Sequence, residues 1–480
     1  SEKFKSGILL VKGTISESGN NNKIHWKKTD GVPCTLGEQQ KTLTGLIGGG
    51  GSGVKMNDGT LLFPVEATKN EADAEEGGKT VSLIIYSSDT PSCTLSKEVP
   101  ADGCGDPSVV EWEKDKKLMM MTACDDGRRR VYESGDKGES WTEALGTLSR
   151  VWASKHEGNV KGVRSGFITA TIKDRNVMLV TLPVYLKEAH EENEEKQNEK
   201  GVLHLWLTDN THIVDIGSVS GKDDDVAASA LLYRSGETNE ERLIALYEKK
   251  KGDGEKSSPG MVSVRLTEQL QRVKEVLATW NEVDERVSKL CPSESAMEET
   301  QTGNACTTGK ITDGLVGFLS STSTDDTWKD EYLGVNATVN KNEGKVTSTG
   351  NGVAFLGAWA EWPVGKQGEN QLYHFANHKF TLVATVSIDG VPKEGTTIFL
   401  IGAKMDDDKT VLLGLSYNSQ NKWQVLSSGT VTEGQISNWA TETQYQVAIV
   451  LQNEKQCSAY VDGKLVGSAQ CECENTKVKE

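Results

Sequence analysis

Short apolar runs that alternate with polar residues recur along most of the chain and predict β-strands. Successive side chains of a strand point to opposite faces, so a period of two is typical of a strand with one buried face. Turn residues separate the runs about every 8–12 residues, as at Asn57-Asp58-Gly59. Repeated groups of short strands in the first half of the chain favour a β-propeller over a sandwich.

One stretch replaces this pattern with apolar residues at spacings of three or four, the period of an amphipathic helix. These residues are Leu266, Leu270, Val273, Leu277, Trp280, Val283, Val287 and Leu290. The single apolar stripe predicts a helix that packs against a core and links two domains. Thr267 or Ser263 is expected to cap its start.

Strand patterns resume after Cys306 and continue toward the end of the sequence, for example in FTLVATVSI (380–388) and YQVAIVLQ (445–452). Their alternation with polar turns favours a β-sandwich of the jelly-roll or lectin type. We therefore expect a mainly β protein with four segments. These are a propeller at 1–264, a linking helix at 265–290, a disulfide loop at 291–307 and a sandwich at 308–480.

Length and charge narrow the class of protein. A chain of 480 residues is too long for one hydrophobic core. Its net charge of −17 argues against nucleic acid, whose phosphates need a basic face, and against a surface that lies flat on anionic lipid. No apolar run reaches the ~18 residues that span a bilayer, and the first residues lack a signal-peptide pattern. The chain is either cytosolic or a mature or trimmed piece of a secreted protein.

Nine cysteines favour the secreted alternative, because none has the paired spacing of a zinc site. Cys291 and Cys306 bracket a polar loop whose ends a disulfide would tie together. Cys471 and Cys473 are too close for an easy bridge to each other, so one of the two is expected to reach Cys457. The disulfide candidates are Cys93, Cys104, Cys291, Cys306, Cys457 and Cys471.

The sequence contains one N-x-[ST] sequon, Asn336-Ala337-Thr338. Such a tripeptide accepts an N-linked glycan only in a chain that enters the secretory pathway. If the chain is secreted, the sequon predicts that Asn336 lies on a surface loop.

Motifs for metals and nucleotides are weak. His374 and His378 have an H-x-x-x-H spacing, but their flanks are strand-like, where such residues lie ~13 Å apart. The acidic runs at 223–225 and 406–408 lack the Gly and Glu of a calcium loop. The glycine run at 48–53 is not followed by Gly-Lys-Ser/Thr, so it does not predict a phosphate loop. We expect no metal and no cofactor.

The stretch Ser134–Trp141 fits the Asp-box pattern S-x-D-x-G-x-[ST]-W, a turn between the outer strands of a propeller blade. The Asp can accept backbone N–H bonds across the turn, the Gly can take a positive φ, and the Trp can pack under the loop. The pattern positions are Ser134, Asp136, Gly138, Ser140 and Trp141. This motif indicates a scaffold and says little about chemistry.

Three stretches together resemble the trypanosome trans-sialidase superfamily of surface glycoproteins: the Asp-box region 131–152, LWLTDN (205–210) and 362–393. The similarity extends over nearly the whole chain. It implies a six-bladed sialidase propeller, a linking helix and a lectin-like sandwich of the concanavalin or laminin-G kind. It also implies that the first blades, with the first triad Arg and the general-acid Asp, and the last sandwich strands lie outside this sequence.

The resemblance also implies an active site with a Tyr nucleophile, a neighbouring Glu and three arginines that hold the sugar carboxylate. The chain departs from that pattern at each position that can be matched. Asp106 stands where the Glu is expected, and its carboxylate falls about 1.5 Å short. Ala123 replaces the second Arg, Lys200 is the nearest match to the third, and Ala228 replaces the nucleophile. Asn198 replaces an aromatic residue expected to contact an acceptor sugar.

These departures predict a protein that is not an enzyme. We expect a parasite surface glycoprotein that acts in adhesion to a host-cell or matrix protein, in invasion or in immune evasion, with a complement component as a further candidate partner. It would be attached through a C-terminal glycosylphosphatidylinositol anchor absent from this sequence, or be shed. A module that binds sialic acid or another glycan is the alternative, and a weak sialidase or trans-sialidase is a third possibility.

Overall fold

The structure is a computed structural model in which the chain forms two compact units, residues 1–363 and 364–480. Three of the disulfide candidates, Cys93, Cys291 and Cys306, lie outside the described residues. The described residues are 11, 13–16, 23–26, 42–69, 78–87, 94–153, 162–185, 200–236, 240–250, 260–290, 312–324, 326–350, 352–405, 407, 410–427, 430–434, 438–452 and 455–471.

Antiparallel sheets that follow one another along the chain make up most of the first unit, after a hairpin of β1 (Gly13–Ser16) and β2 (Lys23–Trp26). The first sheet contains β3 (Leu43–Gly48), β4 (Val54–Lys55), β5 (Leu61–Lys69), β6 (Lys79–Ser87) and β7 (Thr94–Leu95). The second contains β8 (Cys104–Trp112), β9 (Lys117–Cys124), β10 (Arg129–Ser134) and β11 (Thr142–Glu143). The third contains β12 (Gly166–Ile172), β13 (Arg175–Tyr185), β14 (Gly201–Thr208) and β15 (Ile213–Ser218). The fourth contains β16 (Val226–Ser235), β17 (Glu241–Lys249) and β18 (Gly260–Arg265).

These sheets are arranged as propeller blades. Strand β8 lies against β5, β6 and β12, and β12 lies in turn against β16. Middle strands are buried on both faces, as in β9, where every residue after Lys117 is buried. The predicted propeller is therefore confirmed, with blade sheets that stack through apolar residues of both faces.

The Asp box forms the turn between β10 and β11. The Ser134 hydroxyl donates to Asp136 Oδ1 (2.8 Å) and accepts the Gly138 N–H (2.7 Å), and the Ser140 N–H donates to the same Asp136 oxygen (2.9 Å). Gly138 has φ +89°, and Trp141 is 9% exposed. Hydrogen bonds from Ser140 and Ser134 lower the pKa of Asp136 to about 2.

A cross-strand disulfide in the same blade corrects one expectation. Cys104, on β8, bonds to Cys124, on β9, with 4.0 Å between the two Cα atoms. The two residues are direct partners in the β8–β9 register. Cys124 was absent from the predicted disulfide candidates, because nothing in the sequence shows which residues face each other across a hairpin.

The predicted helix is present as α1 (Thr267–Ser288), and its buried face carries most of the expected apolar stripe. Two details differ from expectation. Neither Thr267 nor Ser263 caps it, because Leu266 occupies the N-cap position without a side-chain bond, and its N–H donates to Leu243 O (2.8 Å). Leu290 lies beyond the helix and is 62% exposed. In the described part of the chain no helix has the length and apolar character to cross a membrane.

A partly buried ionic cluster joins the third blade to α1. Arg175, at the start of β13, donates from Nε to Asp209 Oδ2 (3.0 Å) and from Nη1 to Asp284 Oδ2 on α1 (2.9 Å). Burial alone would raise the pKa of Asp209, but hydrogen bonds from His212 and the charges of His212 and Arg175 hold it well below its usual range. The Tyr332 hydroxyl donates to the second oxygen of Asp284 (2.7 Å).

An aromatic stack covers this cluster. The His212 ring lies 4.2 Å from the Tyr332 ring and 5.0 Å from the Trp280 ring, measured between centroids. His212 Nε2 lies 2.8 Å from the Leu315 carbonyl oxygen, and Trp280 Nε1 donates to the Tyr332 carbonyl (2.8 Å). We call Arg175, Asp209, His212, Trp280, Asp284 and Tyr332 the joining cluster.

The segment after α1 belongs to the first unit, because the joining cluster anchors it on the helix. The compact unit that contains this segment ends at Pro363, and the start of the sandwich domain at residue 308 stays a prediction. One sheet contains β19 (Leu319–Ser323), β20 (Thr327–Asp330), β21 (Ala337–Asn340) and β24 (Trp359–Glu361). A hairpin pairs β22 (Lys345–Thr349) with β23 (Gly352–Leu356).

The second unit is a β-sandwich with a short 3-10 helix, His374–Asn377, near its start. Its first sheet contains β25 (Phe380–Ser387), β30 (Gln444–Gln452), β31 (Gln456–Val461) and β32 (Lys464–Gln470). Its second contains β26 (Thr397–Lys404), β27 (Val411–Asn418), β28 (Trp423–Ser427) and β29 (Thr430–Glu433). Apolar residues of both sheets, such as Leu415 and Ile449, form one core. Cys457 and Cys471 form a disulfide here.

Replacing the central carboxylate of the joining cluster is expected to destabilise the first unit strongly. Asp209→Asn removes one of the two carboxylates that Arg175 faces, so the loss should approach, without exceeding, the about 3–5 kcal/mol that a buried charge left with no partner costs. Urea unfolding, comparing the midpoint and slope with the unchanged chain, measures the loss. Glu285→Gln is the matched control, because the exposed Glu285–Lys289 pair on α1 should contribute less than about 0.5 kcal/mol. Equal losses for the two variants would contradict this role.

The same carboxylate predicts an acid dependence of stability. The folded-state pKa of Asp209 is lowered, so its contribution is present above the pKa of the unfolded chain, about 4, and is lost as the pH falls below it. The stability difference between the unchanged chain and Asp209→Asn should therefore shrink as the pH falls below about 4. A difference that stays constant down to pH 3 would show that Asp209 is not the group that titrates.

Candidate functional site

Asp106 and Ala123, which the resemblance places at the positions of the catalytic Glu and the second Arg, lie side by side in the second blade. Asp106 is half-buried on β8, at a bulge where its φ is +48°, and its N–H donates to Glu66 Oε2 (2.9 Å). Ala123 is 8% exposed on β9, opposite Gly105 of β8 and opposite Arg129 of β10. The end of this blade therefore presents one carboxylate beside a methyl group.

The position expected to hold the nucleophile lies at the start of the fourth blade. Ala228 is half-buried on β16, inside a bulge between Val226 and Ser229. The neighbouring Ser229 hydroxyl is buried and accepts the Gly166 N–H (3.2 Å). A methyl group has no lone pair, so position 228 cannot attack a sugar carbon or stabilise a developing cation.

Lys200 is exposed and immediately precedes β14. The next residue, Gly201, donates its N–H to Asp225 Oδ1 (3.1 Å), and Asp225 precedes β16. This bond brings the Lys200 end of the third blade to the Ala228 end of the fourth. Asn198 lies outside the described residues.

Arg164 connects these ends, and sequence analysis did not identify it because it belongs to no motif. Its carbonyl accepts the Ser229 N–H (3.3 Å), and its Nη1 donates to the Gly49 carbonyl of the first blade (2.7 Å). The next carbonyl, that of Ser165, accepts the Ser108 hydroxyl of β8 (2.8 Å). The glycine run at 48–53 thus surrounds an arginine side chain, and a Cβ at Gly50 would lie 1.8 Å from Arg164 Nη1.

Arg129 is a second cation whose environment the sequence did not reveal. Its neighbours Arg128 and Arg130 pair with Asp126, at 3.6 and 2.6 Å, as expected of surface arginines. Arg129 is instead 1% exposed, and its guanidinium donates to the carbonyls of Ala153 (3.2 Å) and Val163 (2.9 Å). Burial lowers the pKa of Arg129 to about 10, against the opposing charges of Tyr185 and Asp106.

Two tyrosines near these positions could be considered as substitute nucleophiles. Tyr185 ends β13 opposite Gly201, and its hydroxyl oxygen is buried. Burial raises the pKa of Tyr185, with Arg129 opposing the shift. Tyr247 is 3% exposed and donates to Asp224 Oδ2 (2.9 Å), and burial together with this bond raises its pKa to about 12. Both hydroxyls are therefore protonated and enclosed at neutral pH.

A polar depression of about 290 Å³ is lined in part by Cys124 of the Cys104–Cys124 disulfide. Its charges are largely paired with one another: Arg130 with Asp126, and Lys79 with Asp102 (3.9 Å). Its lining residues are Lys79, Asp102, Gly103, Cys124, Asp125, Asp126 and Arg130. With three carboxylates beside two cations, it does not form a positive clamp for an anionic sugar.

The described residues contain no group of three or more His, Cys, Asp or Glu side chains placed to hold a metal ion. The two half-buried or buried arginines, Arg129 and Arg164, donate to backbone carbonyls. The matched positions 123 and 228 add methyl groups. The hydrogen bonds of this arrangement hold neighbouring blade ends together, and they support a structural role for the two arginines.

Comparison with known proteins gives the same fold. Residues 1–248 match the family model of the BNR repeat-like domain, and residues 311–480 match that of the trans-sialidase C-terminal domain. Sialidase 85-1.1 of Trypanosoma cruzi is 34% identical over 475 residues, which cover 96% of this chain and 56% of that protein. A second Trypanosoma cruzi sialidase is 32% identical and is covered to 38%. The chain thus spans about half or less of the length of these curated relatives.

Solved structures extend the match to three dimensions. Trypanosoma rangeli sialidase in complex with 2,3-difluorosialic acid, a covalent intermediate, aligns with a TM-score of 0.78 at 34% identity. That alignment covers 96% of this chain and 69% of the sialidase. Another structure of Trypanosoma rangeli sialidase aligns with a TM-score of 0.77 at 33% identity. The chain belongs to the trypanosome trans-sialidase superfamily.

Proposed function

We propose that this chain is part of a non-enzymatic member of the superfamily, a parasite surface glycoprotein that binds a host-cell or matrix protein or a complement component. The observation that carries the proposal is the pair of methyl groups at positions 123 and 228. The relatives that match it are sialidases by name, so membership alone would favour catalysis. The residues at the site favour a protein without catalytic activity, because fold membership does not determine function.

The missing nucleophile has no evident replacement among the described residues. Replacement needs an oxygen that is accessible and readily ionised, and Tyr185 and Tyr247 have hydroxyls that are buried or bonded and pKa values that are raised. Ser229 is buried, and its hydroxyl lies within hydrogen-bond distance of Gly166 and Thr181. None of these groups can act without a rearrangement of the blade ends.

Recognition of a sugar carboxylate is also poorly supported. A carboxylate is bound most strongly by arginines that offer two parallel N–H donors. Arg164 and Arg129 already use donors on the carbonyls of Gly49, Ala153 and Val163. Loss of an arginine at position 123 removes a further donor pair. A glycan-binding module remains the second candidate, and it would have to use the sandwich or exposed loops.

The full-length ectodomain that contains this chain should show no turnover of a sialylated substrate, in hydrolysis or in transfer. The reason is the absence of an oxygen nucleophile at position 228. Trypanosoma rangeli sialidase, assayed in parallel, supplies the positive control. Tyr185→Phe and Tyr247→Phe are matched variants: turnover that disappears in either one would identify a substitute nucleophile and overturn the proposal.

Adhesion should not depend on sialic acid. Binding of the labelled ectodomain to host cells is measured before and after the cells are treated with an active sialidase. For a protein ligand, we expect less than a twofold change. A tenfold or greater loss would favour the glycan-binding alternative, and binding of a sandwich-deleted variant to a glycan array would then locate the site.

A further inference from the structure

The sequon Asn336-Ala337-Thr338 lies where a turn enters β21. Asn336 and Thr338 are both exposed, whereas Ala337 is 2% and Val339 is 6% exposed. Side chains alternate between the faces of a strand, so the acceptor amide and the hydroxyl two residues later share the solvent side. The middle residue of the sequon faces the core.

The turn fixes the direction of the acceptor amide. Asn336 Oδ1 accepts the Asp330 N–H (2.9 Å), while the Asp330 carboxylate accepts the N–H groups of Phe318 (2.8 Å) and Gly334 (3.1 Å). The amide oxygen of Asn336 is therefore turned toward the loop. Because the amide is planar, Nδ2 points away from the Asp330 bond, and no group in the described part of the chain is bonded to it.

We propose that Asn336 is a site of N-linked glycosylation, with the glycan on Nδ2. The oligosaccharide comes from a lipid-linked diphosphate donor. The Nδ2–C1 bond forms as the C1–O bond to the diphosphate breaks, the diphosphate leaves with the electron pair, and one amide proton is lost. The product keeps Oδ1 free to accept the Asp330 N–H, so the modification preserves the turn.

A glycan at this position covers the outer face of the β19–β20–β21–β24 sheet. Thr338 is paired in register with Thr327 of β20 and with Glu361 of β24. These residues lie on the face that the sugar would shield. A protein partner of the proposed surface glycoprotein would then bind another face. The glycosylation site rests on the proposed passage of the chain to the cell exterior.

The test is to secrete the full chain from eukaryotic cells behind a supplied signal peptide and to digest it with peptide N-glycosidase in heavy-oxygen water. We expect a faster-migrating product, and conversion of Asn336 to Asp with one heavy oxygen in the tryptic peptide. Since the sequence holds one N-x-[ST] sequon, a single site accounts for the whole shift. Secreted, folded protein with an unmodified Asn336 peptide would overturn the proposal.

Variants at Thr338 separate the glycan from the fold. Thr338→Ala destroys the sequon but keeps Asn336 and its bond to Asp330, whereas Thr338→Ser preserves the sequon. We expect the enzyme-dependent shift to disappear in the first and persist in the second. Asn336→Gln should also lose it, although that variant can additionally disturb the turn. A shift that persists in Thr338→Ala would contradict the assignment, and none of these readouts depends on adhesion or catalysis.

Discussion

The joining cluster is the constraint on which the first unit depends, because it connects a blade, the only α-helix among the described residues and the segment that follows. Arg175 lies between the carboxylates of Asp209 and Asp284. The Tyr332 hydroxyl donates a further hydrogen bond to the Asp284 carboxylate. Asp209 is buried and the other two charges are partly buried, so each depends on its partner to offset the loss of solvent. Displacement of α1 would remove Asp284 from Arg175 and Trp280 from the His212 ring together, while the Arg175–Asp209–His212 contacts within the blade would remain.

The contacts that stabilise the fold lie apart from the positions that the resemblance assigns to the active site. The joining cluster lies on the helix side of the third blade, and the Asp box fastens the outer strands of the second, with Lys137 of that turn paired to Asp58 of the first blade. The matched active-site positions lie at strand ends and bulges, where Ala123 and Ala228 cost little packing. A blade can thus keep its core while the side chains at its end change.

The sequence predicted the helices and strands that local apolar periodicity encodes. It did not predict contacts between residues that are far apart in the chain. The spacing of apolar residues located α1 to within a few residues, and the strand patterns at 380–388 and 445–452 correspond to β25 and β30. Gly357, at φ +64°, separates β23 from β24, which belong to different sheets, and apolar periodicity alone does not reveal this break. At the site, the resemblance to the family identified positions 106, 123 and 228 as the ones to compare with a sialidase active site. Arg164 could not be predicted, since its partners Ser229 and Gly49 lie 65 and 115 positions away in the sequence.

The buried Arg129 explains why the surroundings of position 123 no longer suit an arginine. Residues 123 and 129 are direct partners across β9 and β10, and such side chains lie about 4.5–5.5 Å apart at Cβ. Two guanidinium groups in that space would repel each other, and Arg129 has no carboxylate within ion-pair distance among the described residues. A methyl group at 123 leaves room for Arg129 to turn toward the carbonyls of Ala153 and Val163. On this argument Ala123→Arg alone would introduce an unpaired cation rather than restore a sugar clamp, because the surroundings now accommodate a different arginine.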